Sequence, residues 1–433
     1  MNSPTEPWLS PTAHSALDAT VEIPGSKSLT NRYLVLAALA ASPVSVYGGL
    51  DSRDSYLMRN ALRALGVHIE DSTSPWKITP AALSGGSRID CGLAGTVMRF
   101  IPPLVLLADS PVTFDGDKEA RVRPMGPLLE ALRRLGAVVD DGGRGTLPFT
   151  VEPPEKIPSS VTVDASLSSQ FVSGLLLCAP ALPNGLTIYH EGRSLPSRPH
   201  VDMTCAVLRE CGVNVTTPDD HTWVVPPTPL QINSVSVEPD LSNAGPFVAA
   251  ALIAGGTVRI PHWPEETTQP GLLLPSILEK MGGKASRNGD ILTMRGNGRI
   301  LPIDVDLTPA GELTPTIAAL CVLAEGPSTI TGIGHLRGHE TDRLAAIITE
   351  VRRLGGQCTA TDDALHFEGL PAQGLRAATL ESYADHRMAT FGALIGLAVP
   401  GVRVTNINTT AKTLPNFPAM WAAMLADGDQ ENN

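Results

Sequence analysis

An amphipathic helix that ends in Leu, Met or Cys followed by Gly recurs along this sequence and constrains its fold more than any other feature. It reads LMRNALRALGV at Leu57–Val67, LLEALRRLGAV at Leu128–Val138 and MTCAVLRECGV at Met203–Val213. It returns as LLPSILEKMGG at Leu273–Gly283, AAIITEVRRLGG at Ala345–Gly356 and, more weakly, FPAMWAAMLADG at Phe417–Gly428. The glycines Gly66, Gly136, Gly212, Gly282 and Gly355 recur about every 70 to 76 residues. Each stands where a helix closes in the left-handed conformation that only Gly adopts cheaply.

Between these copies lies a second kind of helix, apolar nearly all round and therefore expected to be buried. Its members are SLTNRYLVLAALAA, TVMRFIPPLVLLAD, SSQFVSGLLLCAPAL, SNAGPFVAAALIAG, ELTPTIAALCVLAEG and DHRMATFGALIGLAV. Short alternating strands flank each one, such as TVEI and VSVYG or IDVD and STITG, and further strand pieces follow each Gly-ended helix. The repeating unit is β-α-β-α-β-β. The fold class is α/β (α+β): two domains, each of three βαβαββ units with one buried and one exposed helix per unit. The expected division is residues 1–24 with 241–433 against 25–240. Pro24-Gly25 and the Glu238-Pro239-Asp240 stretch would then serve as two hinge crossovers, with a ligand cleft between domains that can close.

Composition matters mainly for what it excludes. A net charge of −12 and 4% aromatic residues argue against general nucleic-acid binding. A local cationic site in an acidic chain suits a small anion. Six scattered cysteines without a C-x-x-C pair read as buried free thiols. The first twenty residues lack a basic start followed by an apolar core, and the apolar runs are too short to span a bilayer, so the expected location is cytoplasmic. Met1–Pro11 and Ala426–Asn433 are polar or Pro-rich ends expected to fray.

The chemistry gathers at helix starts. In IPGSKSLTNR, Ile23–Arg32, cap-forming residues Ser26, Ser28, Thr30 and Asn31 accompany Lys27 and Arg32. Those cations stand where the helix dipole is already positive, an arrangement that an anion satisfies. Similar starts recur at Gly95, Thr96 and Arg99; at Ser168, Ser169 and Gln170; and at Asp385, His386 and Arg387. The amphipathic helices open near Arg53, Arg123, Ser197-Arg198 and Asp342-Arg343, and Lys412-Thr413 precedes the last. Glu312, at the expected start of a buried helix, and Glu340, in GHETDR, are the acid-base candidates. For Glu340 the sequence also permits an ion pair with Arg343. His335 and His339 have i, i+4 spacing, but Gly334 and Gly338 interrupt any helix there, so a metal pair is not expected. No Walker lysine loop or G-x-S-x-G elbow is present in the sequence.

Six segments taken together resemble a known family: PGSKSLTNR at Pro24–Arg32, LAGTVMR at Leu93–Arg99, SSQF at Ser168–Phe171, HETDRL at His339–Leu344, DHRM at Asp385–Met388 and AKTLPNF at Ala411–Phe417. The family is 5-enolpyruvylshikimate-3-phosphate synthase, an enolpyruvyl transferase of the shikimate pathway and the target of glyphosate. The resemblance implies transfer of the enolpyruvyl group of phosphoenolpyruvate to the 5-hydroxyl of shikimate 3-phosphate through a tetrahedral ketal, with phosphate released. It implies that Lys27, Ser28, Arg32, Ser168, Ser169, Gln170, Ser197, Glu312 and His339 hold shikimate 3-phosphate. Lys27, Gly95, Arg123, Gln170, Arg343, Arg387 and Lys412 would hold phosphoenolpyruvate. Glu312 would act as base on the 5-hydroxyl, and Glu340 or Lys27 would protonate the methylene carbon. No metal or organic cofactor is implied, and the chain is expected to be a monomer with no nucleic-acid or membrane partner.

Leu93, Phe100, His200, Glu312, His335 and His339 depart from the commonest family pattern. Glu312 replaces a more frequent Asp, and His339 a Lys whose charge would not depend on pH. Two competing readings are a transferase acting on a UDP-amino sugar, UDP-N-acetylglucosamine enolpyruvyl transferase, and a noncatalytic phosphometabolite-binding protein. The first usually carries a cysteine before the arginine that Arg123 resembles, whereas FDGDKEARVR at Phe114–Arg123 has none. The second would have no need of Lys27, Glu312, Glu340 and Lys412 together.

Overall fold

The computed structural model describes residues 6–192, 195–338 and 340–427. The repeat glycines Gly66, Gly136, Gly212, Gly282 and Gly355 all adopt the left-handed conformation, with φ between 84° and 100°. Gly428, at the end of the sixth copy, and His339 lie outside the described residues.

By its contacts the chain divides into two units, one formed by residues up to Pro24 together with those from Pro239 on, the other by Gly25–Glu238. Each has its own apolar core. Pro239 and Asp240 go with the first of these, two residues earlier than the sequence suggested. The reason is local, since Asp240 Oδ1 accepts from Asn243 N–H at 3.0 Å and caps the following helix.

In Gly25–Glu238 the helices are α1 (Lys27–Ala38), α2 (Arg53–Ala64), α3 (Gly95–Phe100), α4 (Gly126–Arg134), α5 (Gln170–Cys178) and α6 (Pro199–Glu210). The apolar helices α1, α3 and α5 pack against one another. Three four-stranded sheets complete this unit. One joins Arg88–Asp90 in parallel to Val112–Asp115, which pairs antiparallel with Phe149–Glu152, itself antiparallel to Val138–Asp140. The other two repeat that order around Val44–Tyr47 and Leu186–His190.

The second unit holds α7 (Leu241–Ala254), α8 (Leu274–Lys280), α9 (Thr314–Leu323), α10 (Arg343–Arg353), α11 (His386–Ala398) and α12 (Phe417–Asp427). Here α7, α9 and α11 pack together. Two sheets keep the same four-stranded order, and a third has three strands.

The strand ahead of α1, Leu17–Thr20, pairs in parallel with Gly256–Ile260, the strand that follows α7. The strand ahead of α7, Ser234–Ser236, pairs with Val44–Tyr47, which follows α1. The repeats thus exchange their opening strands at the crossovers. There Asp240 N–H donates to Pro24 O at 2.9 Å and Ser26 N–H to Glu238 O at 2.7 Å. A Cβ on Gly25 would fall 2.0 Å from Gly48 O, so glycine is required.

Three expectations are corrected. The N-terminal stretch does not fray from residue 6 on: Trp8–Leu9 pairs antiparallel with Arg403–Val404, and buried Ser10 donates to Ala393 O. Arg403–Val404 pairs in parallel with Thr379–Leu380 on its other side, so Trp8–Leu9 covers what would otherwise be its open edge. Second, the apolar segment after Gly95 is not one helix, because Pro102-Pro103 cannot supply N–H donors and the chain continues as 3₁₀ turns over Pro102–Leu107. Third, Glu312 does not start a helix. It lies in the 3₁₀ run Thr308–Leu313, kinked at Ala310, and α9 begins at Thr314 because Pro315 fits only a first helical turn. All six cysteines are buried free thiols.

Candidate functional site

In Gly25–Glu238, α1 opens with Lys27, and no acidic residue occupies its first turn. Lys27 Nζ instead lies 3.3 Å from the Oδ2 of Asp54, a buried carboxylate on α2. Sequence reasoning missed Asp54; its signal was an acidic residue in the first turn of an amphipathic helix. Asn31 Nδ2 donates to Thr96 Oγ1 at 2.6 Å, tying α1 to the start of α3.

Arg32 is turned inward. Its Nε donates to Thr204 Oγ1, Nη1 to Ser28 O and Nη2 to His200 O, at 2.8, 2.9 and 2.8 Å, and its guanidinium sits 5.2 Å from the Phe100 ring centre. Burial lowers it to about 9, so it remains cationic at neutral pH. In this geometry Arg32 braces Ser28 against the first turn of α6, and Phe100 is a core residue beneath it.

The start of α3 is where polar groups crowd. A Cβ on Gly95 would lie 3.2 Å from both Arg123 Nη2 and Gln170 Oε1, so glycine lets those side chains approach the backbone. Gln170 Oε1 is buried and has no hydrogen-bond partner among the described residues. Arg123 Nη1 donates to Leu93 O at 3.3 Å. Arg99, buried over the Phe171 ring, is held well below the usual arginine range by burial and by the nearby Arg123. Ser168 Oγ accepts from Gln170 N–H at 3.3 Å, Ser169 is buried at the cap of α5, and Ser197 adopts φ 51° just before α6.

The other unit gathers carboxylates and cations around the starts of α7, α10 and α11. Glu340 and Lys412, both nearly buried, form an ion pair, and His386 Nδ1 lies 3.3 Å from the second Glu340 oxygen. Burial alone would raise Glu340, but Lys412 and His386 outweigh it and hold the carboxyl well below its usual range. Burial drives His386 down to about 4 against the pull of Glu340. Arg343 does not pair with Glu340. It grips Asp385 with Nε to Oδ2 at 2.8 Å and Nη2 to Oδ1 at 3.3 Å, both side chains being buried. Asp385 also caps α11, accepting from Arg387 N–H at 2.9 Å.

Arg387 is half-buried in the first turn of α11. Glu312 Oε1 accepts from Ser242 Oγ at 3.4 Å. Asn243 on α7 bonds Thr413 twice, through Nδ2 to its carbonyl and through Oδ1 from its hydroxyl, fastening the residue after Lys412. His335 packs on Gly311, where a Cβ would be 2.6 Å from Nε2. Glu340, Asp385 and His386 bring one ligand atom each within 4.8 Å of one another, a spacing that a metal ion could use. Each of the two carboxylates is already engaged by a fixed cation, which competes with any such ion.

In each unit, then, three packed helices bring cations, serines and amides to their N-termini. The fold has solved counterparts. An EPSP synthase from Acinetobacter baumannii matches with a TM-score of 0.78 at 24% identity over 96% of both chains. The enolpyruvyl transferase NikO from Streptomyces tendae matches at 0.71 with 20% identity over 96% of this chain and 97% of its own. The architecture is the two-domain, inside-out α/β fold of the enolpyruvyl transferases.

The model of the EPSP synthase (3-phosphoshikimate 1-carboxyvinyltransferase) family matches residues 11–421. A 3-phosphoshikimate 1-carboxyvinyltransferase of Bifidobacterium longum is 50% identical over 97% of this chain and 98% of its own length. One of Kocuria rhizophila is 51% identical over 96% of each. The chain belongs to the EPSP synthase family.

Proposed function

We propose that the chain transfers the enolpyruvyl group of phosphoenolpyruvate to the 5-hydroxyl of shikimate 3-phosphate and releases phosphate, the activity for which its family and these relatives are named. The observation that carries this reading is the charge around Gly95. Two arginines, Arg99 and Arg123, act on each other there beside a helix N-terminus and the buried Gln170 amide. A phosphate or carboxylate is the ligand that relieves such a cluster.

Phosphoenolpyruvate would be held by Lys27, Gly95, Arg123, Gln170, Arg343, Arg387 and Lys412. Shikimate 3-phosphate would use Lys27, Ser28, Ser168, Ser169, Gln170, Ser197, Glu312 and His339, with Arg32 as a brace or direct ligand. Glu312 takes the 5-hydroxyl proton as oxygen attacks C2 of phosphoenolpyruvate, while C3 gains a proton from Glu340 or Lys27. Because Glu340 rests ionised, it can pass a proton to carbon only after taking one from Lys412 beside it. Return of a C3 proton to the group that supplied it then expels phosphate, whose growing charge the fixed cations stabilise. The enzyme is proposed to act in the cytoplasm as a monomer. Among the described residues no helix is long and apolar enough to cross a membrane.

The test is phosphate release from phosphoenolpyruvate with shikimate 3-phosphate, run beside UDP-N-acetylglucosamine. Release with the sugar nucleotide alone would overturn the assignment, and binding without turnover would favour a sensor. Glu312→Gln is expected to cut turnover more than about tenfold with substrate binding nearly intact. Wild-type turnover in that variant would remove Glu312 from the role of base.

A further inference from the structure

Tyr383 and Ala384, just ahead of Asp385, have φ of 56° and 53°. Two consecutive non-glycine residues in the left-handed region persist only where surrounding contacts impose them. The contact that does so comes from Glu350, a fully buried carboxylate two turns along α10 from Arg343. Glu350 Oε1 accepts from the Tyr383 hydroxyl at 2.5 Å, and Oε2 accepts from Glu381 N–H at 3.2 Å and from Arg353 Nη1 at 3.2 Å. Glu381 in turn accepts from Thr405 Oγ1 and from Tyr383 N–H, and Asp385 N–H closes the turn on Ser382 O at 2.8 Å.

From these contacts we infer that Glu350 and Tyr383 are positioning residues: by holding the 383–384 turn in its left-handed form they aim Asp385 at Arg343 and His386 at Glu340 and set Arg387 in the first turn of α11. One helix, α10, thereby grips the same segment twice, through Arg343 to Asp385 at its start and through Glu350 to Tyr383 further on. Neither Glu350 nor Tyr383 belongs to the proposed ligand set, so their effect passes through Arg343 and Arg387, both assigned to phosphoenolpyruvate. This inference rests on the transferase reading above.

The test compares steady-state constants of wild type, Tyr383→Phe, Glu350→Gln and the double variant Tyr383→Phe/Ala384→Gly. Tyr383→Phe keeps the ring and removes one hydrogen bond to a charged group, so KM for phosphoenolpyruvate is expected to rise about tenfold, with KM for shikimate 3-phosphate within about twofold. Glu350→Gln, whose amide can still bridge Tyr383 and Glu381, should stay within about threefold of wild type. Adding Ala384→Gly, which makes the left-handed turn cheap, should recover much of the Tyr383→Phe loss. An unchanged KM for phosphoenolpyruvate in Tyr383→Phe would overturn the inference. So would equal rises in both KM values with no recovery on adding Ala384→Gly, because general loosening predicts that pattern. Failure of the wild type to turn over would strike the transferase reading instead.

Discussion

Replacing Asp385 by Asn offers a measurable test of what the Arg343 pair contributes. Both side chains are buried, at 3% and 0% exposure, so the Asp385 carboxylate is the main compensation for a guanidinium removed from water. Burial alone would lower Arg343, yet Asp385, joined by Glu340 and Glu312, raises it above its ordinary value. Breaking such a pair from one side costs about 3 to 5 kcal/mol. The single amide oxygen of Asn can stand in for Oδ1, which accepts from Arg387 N–H and Arg343 Nη2, but its NH2 cannot accept from Arg343 Nε as Oδ2 does, so the loss is about 3 kcal/mol. For a unit of this size that lowers Tm by roughly 6 to 12 °C.

Scanning calorimetry is the assay, since two units can melt separately and only the one containing α10 and α11 should move. The double replacement Arg343→Met/Asp385→Leu removes both charges and should regain all but about 1 kcal/mol, the lost helix cap. It should not regain affinity for phosphoenolpyruvate. An Asp385→Asn protein that melts within about 2 °C of wild type would refute the reasoning, because the buried guanidinium would then need no partner.

Acid should weaken the same region. His386 is held neutral in the fold by a pKa lowered from 6.5 to about 4, so its contribution is whole above about pH 6.5 and is lost as pH falls toward 4. That amounts to about 3 kcal/mol, and His386→Gln should flatten the dependence of denaturant midpoint on pH in this window. Glu340, also lowered, adds a loss in the same direction below its unfolded value of 4.5. Gly95→Ala puts a methyl 3.2 Å from Arg123 Nη2 and Gln170 Oε1. It should raise KM for phosphoenolpyruvate several-fold more than that for shikimate 3-phosphate. Gly25→Ala meets the backbone oxygen of Gly48 and should cost more than about 3 kcal/mol, read as loss of soluble folded protein or a lower denaturant midpoint.

What could be read from the sequence was whatever is local in the chain. The left-handed glycines ending α2, α4, α6, α8 and α10 follow from a Leu-Gly or similar pair closing an amphipathic run, and cap residues mark the starts of α1, α2 and α7. What could not be read depends on partners distant in sequence. Glu340 stands beside Arg343 in sequence but pairs with Lys412, while Arg343 pairs with Asp385. Nothing in HETDR distinguishes these choices. Arg32 presents the same lesson: a cation in the second turn of a helix reads as a ligand, and nothing local shows that Thr204 and His200 also engage it. Trp8–Leu9 is too short to register as a strand, and only the open edge at Arg403–Val404 gives it a place.

The exchanged opening strands bear on the order in which the chain can assemble during synthesis. Gly25–Glu238 carries every strand of its three sheets on one uninterrupted stretch, so it can complete itself once Ser234–Ser236 has left the ribosome. The residues ahead of Gly25 are in the opposite position. Leu17–Thr20 must wait for Gly256–Ile260, and Trp8–Leu9 must wait for Arg403–Val404, almost the whole length of the chain away. That segment is therefore seated only after strands far later in the chain have been made. Until then its apolar side chains Leu17, Ala19, Val21 and Ile23, buried in the finished protein, are exposed on the nascent chain.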